Sequence, residues 1–126
     1  LAREAKNLIK QTGHVIAKTR FVSAQLNAWF QGGLWLELAR LANKNALYLR
    51  DRLSEFNDFQ ILYPTQGNEV FVKMSNLSYD NILKLNIIPN LWNKIDKDHL
   101  VVRFVISFET NTRQIDEIID RLKTYF

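Results

Sequence analysis

Apolar residues recur every three to four positions in the first half of the chain, which is the spacing of amphipathic helices. The pattern predicts a first helix that ends at Gly13, a second helix over about residues 19–30 and a long third helix over about residues 34–56. Gly32 and Gly33 are expected to break the chain between the second and third helices. The third helix is expected to bury one stripe of side chains, formed by Leu34, Leu38, Leu41, Ala42, Leu49, Leu53 and Phe56.

The second half of the chain changes to the shorter period and the β-branched residues of strands. Strands are predicted over residues 58–63 and 69–74, and they should form an antiparallel hairpin because the loop between them is too short for a crossover. Further along, the sequence predicts a short helix over residues 78–85, capped near Leu77 or Ser78, and an edge strand over residues 86–92 that is limited by Pro89. A charged loop over residues 93–98, a strand over residues 100–108 and a last helix from Thr110 onward follow. This order predicts an α+β fold, a small and mostly antiparallel sheet with helices packed on it.

Residues 100–108 are the most β-prone stretch, and Arg103 and Ser107 are its polar exceptions. A strand that is apolar on both faces is typical of a central strand covered on two sides. A guanidinium is costly to bury there unless an anion meets it. Two hypotheses follow: Arg103 pairs with one of the chain's own carboxylates, or it binds an anionic ligand, most simply a carboxylate. The residues alone leave both open.

Composition narrows the class of protein. At 126 residues, 47% of them hydrophobic, the chain has room for one core. No apolar run approaches the roughly 20 residues that cross a bilayer, and the sequence has no secretory signal pattern. The net charge of +4 is interleaved with acidic residues, which favours a solvated surface over a nucleic-acid interface. The lack of cysteine excludes disulfides and a thiolate nucleophile, and it fits the reducing cytoplasm in which we expect the protein.

Catalytic motifs are absent. The chain has no glycine-rich phosphate loop, no HExxH or GxSxG pattern and no paired cysteines. His14 and His99 stand alone in the sequence, and the role of His14 stays open. Asp96 and Asp98 lie close to His99, but a charged turn in water explains them, so no metal site is predicted.

Three segments in order resemble the C-terminal part of the threonine aldolase and β-eliminating lyase family of pyridoxal-phosphate enzymes. They are residues 13–25 (GHVIAKTRFVSAQ), 63–72 (YPTQGNEVFV) and 102–110 (VRFVISFET). Residues 34–39 and those from 118 onward fit between and after them, so the resemblance covers essentially the whole chain. It implies the aspartate aminotransferase-like fold, with residues 33–126 as the small C-terminal domain and residues 1–32 as the tail of the large domain and the linking helix.

The resemblance also implies roles for two arginines. Arg103 matches the family arginine that pairs with the substrate carboxylate, and Arg20 matches one that lies near the cofactor phosphate. Lys10, Lys18 and Gly13 compete for the position of a further family lysine, which is therefore not assigned. By this account the side chain of Arg103 points out of the sheet toward a substrate, and none of the chain's own carboxylates holds it.

The family's Schiff-base lysine matches no lysine of this chain and would lie upstream, so no catalytic residue is assigned. Because the first residues already follow helical spacing without a start signal, we expect a fragment that is inactive alone. The complete enzyme would be an oligomeric, pyridoxal-phosphate-dependent lyase that cleaves a β-hydroxy amino acid to glycine and an aldehyde. Its partners would be that substrate and the large domain, without nucleic acid or membrane. The alternative is a free-standing α+β module that binds a small anionic ligand or a protein partner.

Overall fold

The computed structural model describes residues 2–14 and 18–126. Part of the connection expected after Gly13, residues 15–17, lies outside the described residues. The chain divides into two compact units, one up to Leu36 and one from Glu37 onward. Among the described residues, no helix combines the length and the hydropathy that a membrane span requires.

The first unit is helical, and its glycines lie where the sequence predicts them to end helices. Helix α1 spans Ala2–Gln11, helix α2 spans Thr19–Phe30, and a 3-10 turn over Gln31–Gly33 precedes helix α3, which spans Leu34–Leu53. Gly13 has a φ of 72°, and the amide of His14 donates to the carbonyl of Ile9 at 3.0 Å, which is the geometry of a Schellman C-cap. Gly32 and Gly33 also have positive φ, which confirms the break between α2 and α3.

The second unit is a four-stranded antiparallel sheet with helices, which confirms the α+β prediction. Strands β1 and β2 form the expected hairpin, and β4 lies in the interior of the sheet between β2 and the edge strand β3. The elements of this unit after α3 are β1 (Gln60–Ile61), β2 (Glu69–Ser75), α4 (Asn76–Lys84), β3 (Asn90–Lys94), β4 (His99–Val105) and α5 (Thr112–Leu122).

One face of the sheet forms the core. The alternate strand residues Val70, Val72, Leu100 and Val102 are buried there against side chains of α3, α4 and α5. The opposite face, which we call the outer face, carries the other alternate residues of β2 and β4: Glu69, Phe71, Lys73, Val101, Arg103 and Val105. The expectation that β4 is covered on both sides holds only in part, because on the outer face Val101 is 1% exposed and Val105 is 53% exposed.

The buried stripe of α3 differs from the expected one. Its buried members are Ala42, Asn45, Ala46, Leu49 and Leu53, while Leu34 and Leu41 are 41% and 44% exposed. Asn45 can be buried because its side-chain amide donates a hydrogen bond to the carbonyl of Thr110, a backbone group that lies just before α5. Hydrophobic spacing alone could not assign a buried asparagine to this face.

Some helices and strands begin or end at other residues than the sequence predicted. Helix α4 begins at Asn76 with Ser75 as N-cap, whose hydroxyl accepts from the amide of Ser78, so the cap expected near Leu77 or Ser78 is wrong. Strand β3 begins after Pro89 and continues to Lys94, which shortens the expected charged loop. Strand β1 is reduced to two residues.

Candidate anion-binding site on the outer face

Arg103 lies on the outer face in the middle of β4. Its cross-strand partners are Phe71 on β2 and Asn90 on β3. The side chain is 26% exposed, so its guanidinium is partly withdrawn from water. A cleft of about 290 Å³ reaches it, lined also by Pro89, Asn90 and Val105. The position suits a binding residue, because a rigid central strand fixes the base of the side chain.

Trp92 packs on this guanidinium. Its ring centroid lies 4.8 Å from Cζ of Arg103, within the range of a cation–π contact. The register between β3 and β4 shifts between Leu91 and Asn93, which makes Trp92 the extra residue of a β-bulge. Trp92 is therefore an unpaired residue of β3 whose ring lies over the cation.

Glu69 binds the same guanidinium. Nη1 of Arg103 donates to Oε1 of Glu69 at 2.9 Å. The expectation that none of the chain's own carboxylates holds Arg103 is therefore wrong. The cause is the register of β2 and β4: Phe71 is directly opposite Arg103, so Glu69 is its diagonal neighbour, within reach of a long side chain.

The ion pair leaves part of the guanidinium unused. Nε of Arg103 is buried and makes no hydrogen bond with any described residue. A guanidinium carries five N–H donors in a planar fork, and a carboxylate can occupy two of them at once. Arg103 thus combines an internal ion pair with a buried donor that has no partner among the described residues.

Aromatic side chains continue along the outer face beside Arg103. The ring of Phe71 contacts Trp92 on one side and Tyr63 on the other, with centroid distances of 5.3 and 5.5 Å and edge-to-face geometry. Trp92 and Tyr63 are both about half exposed, at 51% and 53%. The site is a cation framed by an apolar wall, which suits an organic anion better than a free inorganic one.

Arg20, the second arginine singled out by the sequence, lies in the first unit. It is exposed in the first turn of α2, and its Cζ lies 5.1 Å from the ring centroid of Phe21. That turn contains no acidic residue, and the N-cap residue Lys18 makes no side-chain capping bond. A cation at the positive end of a helix is chemistry that suits a phosphate group.

The histidines have local partners. The ring of His14 lies 2.8 Å from the hydroxyl of Thr12. The ring of His99 lies 3.1 Å from Oδ1 of Asp96, whose pKa is lowered because its carboxylate accepts the backbone amide of Asp98 and also interacts with His99. Across the described ranges, no three acidic, histidine or cysteine side chains are grouped to hold a metal ion.

The chain is similar in sequence to known threonine aldolases. No protein-family model matches the chain. Over 75 residues, 60% of this chain, it is 32% identical to a low-specificity L-threonine aldolase from a Pseudomonas species. It is 29% identical over the same length to the low-specificity L-threonine aldolase of Pseudomonas aeruginosa. The chain spans only 22% of the length of each of these relatives.

The fold is also similar to that of a threonine aldolase. The structure superposes on that of a Leishmania major threonine aldolase with a TM-score of 0.81 and 22% identity, covering 95% of this chain and 34% of that one. The chain therefore has the fold of the part of that structure that it covers. The resemblance to threonine aldolases is confirmed, in sequence by the two relatives and in fold by the superposition.

Sequence reasoning found Arg103 but missed both of its partners. Glu69 lies in a segment that the resemblance covers, yet its contact with Arg103 depends on pairing between strands that are distant in the chain. Trp92 is the last residue of the predicted edge strand, and the only available signal was an aromatic residue shortly after Pro89.

Proposed function

We propose that this chain is part of a pyridoxal-phosphate-dependent lyase of the threonine aldolase type. The enzyme would cleave a β-hydroxy amino acid to glycine and an aldehyde. The observation that carries the proposal is Arg103, a partly buried cation with an unpartnered donor, in a chain that matches threonine aldolases in sequence and fold.

Arg103 would bind the carboxylate of the amino-acid substrate. Its charge is permanent and its donors are planar, so it can hold a carboxylate in one orientation by two parallel hydrogen bonds. Glu69 occupies Nη1 at 2.9 Å, so the substrate would use the remaining donors. Holding the carboxylate fixes the rest of the amino acid relative to the reacting bond, which is how a binding residue lowers the barrier.

The residues present fit one end of the cofactor. Arg20 would contact the phosphate group, because it is an exposed cation in a helix turn without a competing acid. When bound, pyridoxal phosphate supplies the electron sink for cleavage next to the amino group. We assign no lysine of this chain to covalent attachment of the cofactor.

The proposal gives the chain a place in a larger enzyme. Residues 33–126 would form the small domain, and residues 1–32 would form the end of the large domain and the linking helix. The rest of the large domain would be its principal partner, in an oligomer located in the cytoplasm. The short fraction of each relative that the chain spans supports this arrangement.

The test is Arg103→Lys in the full-length protein, assayed with threonine. A lysine keeps the charge but cannot form the bidentate fork, so kcat/KM should fall about 30- to 1000-fold, equivalent to roughly 2–4 kcal/mol. Absorbance of the bound cofactor should not change. The control is Arg113→Lys, at a side chain that is 88% exposed. An unchanged kcat/KM for Arg103→Lys would refute the assignment.

A further inference from the structure

We propose that Trp92 is a positioning residue for Arg103, which holds the guanidinium so that its donors not used by Glu69 meet the substrate carboxylate. The inference rests on the proposed function, because it takes Arg103 as the carboxylate receptor. It adds a residue on a different strand, which contacts the arginine and not the reacting atoms.

The β-bulge is the first reason. Asn90 pairs with Arg103 and Leu91 with Val102, and after the bulge Asn93 pairs with Val101. Trp92 is inserted between these pairs, and its ring lies over the guanidinium. Bulges redirect side chains and recur beside functional sites. In a regular strand position 92 would pair with Val101 on the same outer face; the bulge frees Trp92 from that pairing while its ring lies over the guanidinium.

The contacts around the guanidinium are the second reason. An arginine side chain has several rotatable bonds, so a binding arginine needs restraint from more than one direction. Glu69 restrains Nη1 within the sheet, and Trp92 restrains the flat surface of the group. Together they leave Nε, which is buried and has no partner among the described residues. Nε belongs to the side edge of the fork, and a carboxylate can bind that edge with two hydrogen bonds.

The surroundings of Trp92 are the third reason. Its ring packs edge-to-face on Phe71, which is the cross-strand partner of Arg103, so the tryptophan is itself held in place. It is nevertheless 51% exposed, and all of β3 is exposed. A half-exposed tryptophan on an edge strand adds little to the core. The contact of Trp92 with Arg103 gives this tryptophan a role in holding the guanidinium, which its burial alone would not explain.

The experiment compares three variants of the full-length protein, assayed with threonine. Trp92→Leu removes the aromatic face, and KM should rise roughly 3- to 30-fold while kcat stays within about twofold, because orientation of the carboxylate is lost and the chemistry is not. Trp92→Phe keeps a ring and should restore KM to within about threefold of the parent. Tyr125→Leu is the matched control, since Tyr125 is 51% exposed, as Trp92 is, and lies after α5 and not on the outer face. It should leave KM unchanged.

A second measurement does not depend on enzyme activity. In the ¹⁵N-labelled 126-residue chain, the Nε–H signal of Arg103 should shift on titration with acetate, and Trp92→Leu should weaken that response. Circular dichroism checks that the variant is folded. If Trp92→Leu leaves both KM and the acetate response unchanged, or if leucine and phenylalanine behave alike, the inference is wrong. If Arg103→Lys lowers kcat/KM while Trp92→Leu leaves KM and the acetate response unchanged, the inference fails but the proposed function stands; if Arg103→Lys leaves kcat/KM unchanged, the proposed function itself fails.

Discussion

The guanidinium of Arg103 is bound on two sides by groups of different chemistry. Glu69 supplies a negative charge at 2.9 Å, and Trp92 supplies an aromatic face at 4.8 Å. The ion pair is only partly buried, with the arginine side chain 26% and the glutamate side chain 40% exposed. Pairs of this exposure contribute roughly 0–1 kcal/mol, so under the proposed function Glu69 would be a weak competitor of the substrate carboxylate.

Glu69→Gln tests that competition. Glutamine keeps an oxygen that can accept from Nη1 but removes the negative charge near the incoming carboxylate. We expect KM for threonine to fall about two- to fivefold in the full-length protein, because the repelling charge contributes at most about 1 kcal/mol. The measurement is steady-state kinetics at low ionic strength, with the effect decreasing as salt is added.

The control for this variant is Glu117→Gln, which makes the same change of charge. Glu117 pairs with Arg113 on α5 at 3.3 Å and has no contact with Arg103 in the structure. It should leave KM unchanged. A higher KM in Glu69→Gln would contradict the prediction and would mean that the charge of Glu69 holds the arginine in its binding orientation.

At the scale of elements, the ends of helices were predictable where residues that cap helices mark them. Gly13 ended α1 at the expected residue, and the start of α5 carries a capping box in which Asn111 and Gln114 satisfy each other's backbone amides. Spacing was a poorer guide to the buried face of α3: it predicted the burial of Ala42, Leu49 and Leu53, but Asn45 and Ala46 carry little or no hydrophobic signal. Their burial follows from close packing against the sheet, which the sequence of one helix does not contain.

Two leucines of α3 give a prediction at this scale. Leu49 is 1% exposed and lies in the core, whereas Leu41 is 44% exposed on the same helix. Leu49→Ala should lower the free energy of unfolding of the 126-residue chain by about 2–5 kcal/mol, because it leaves a cavity. Leu41→Ala should change it by less than about 1 kcal/mol. Urea unfolding followed by circular dichroism measures both, and equal losses would contradict the described burial.

At the scale of the whole molecule, the sequence predicted the order of elements and the α+β class, but not the pairing of the sheet. The hairpin of β1 and β2 is local and was predictable from its loop. The pairing of β2 with β4 joins strands separated by α4 and β3, so its register depends on the packed core and not on a turn. That register decides which carboxylate meets Arg103, which is why the partner of the site's central residue could not be predicted.

Helix α2 leads to the last prediction. None of its residues is buried, and its large apolar side chains fall within roughly half of the helix circumference at about 100° per residue. Their exposed fractions are 55% for Phe21, 44% for Val22, 53% for Leu26, 42% for Trp29 and 61% for Phe30. Soluble monomers rarely expose an apolar surface of this kind without a partner.

We therefore expect the purified 126-residue chain to self-associate as its concentration rises, and to bind an apolar dye. The double variant Leu26→Lys and Trp29→Lys places charges on that surface and should shift the sedimentation profile toward monomer. Leu77→Lys is the control, at a single leucine of α4 that is 68% exposed and should not affect association. A chain that sediments as a monomer at every concentration and binds no dye would show that the apolar half of α2 needs no partner.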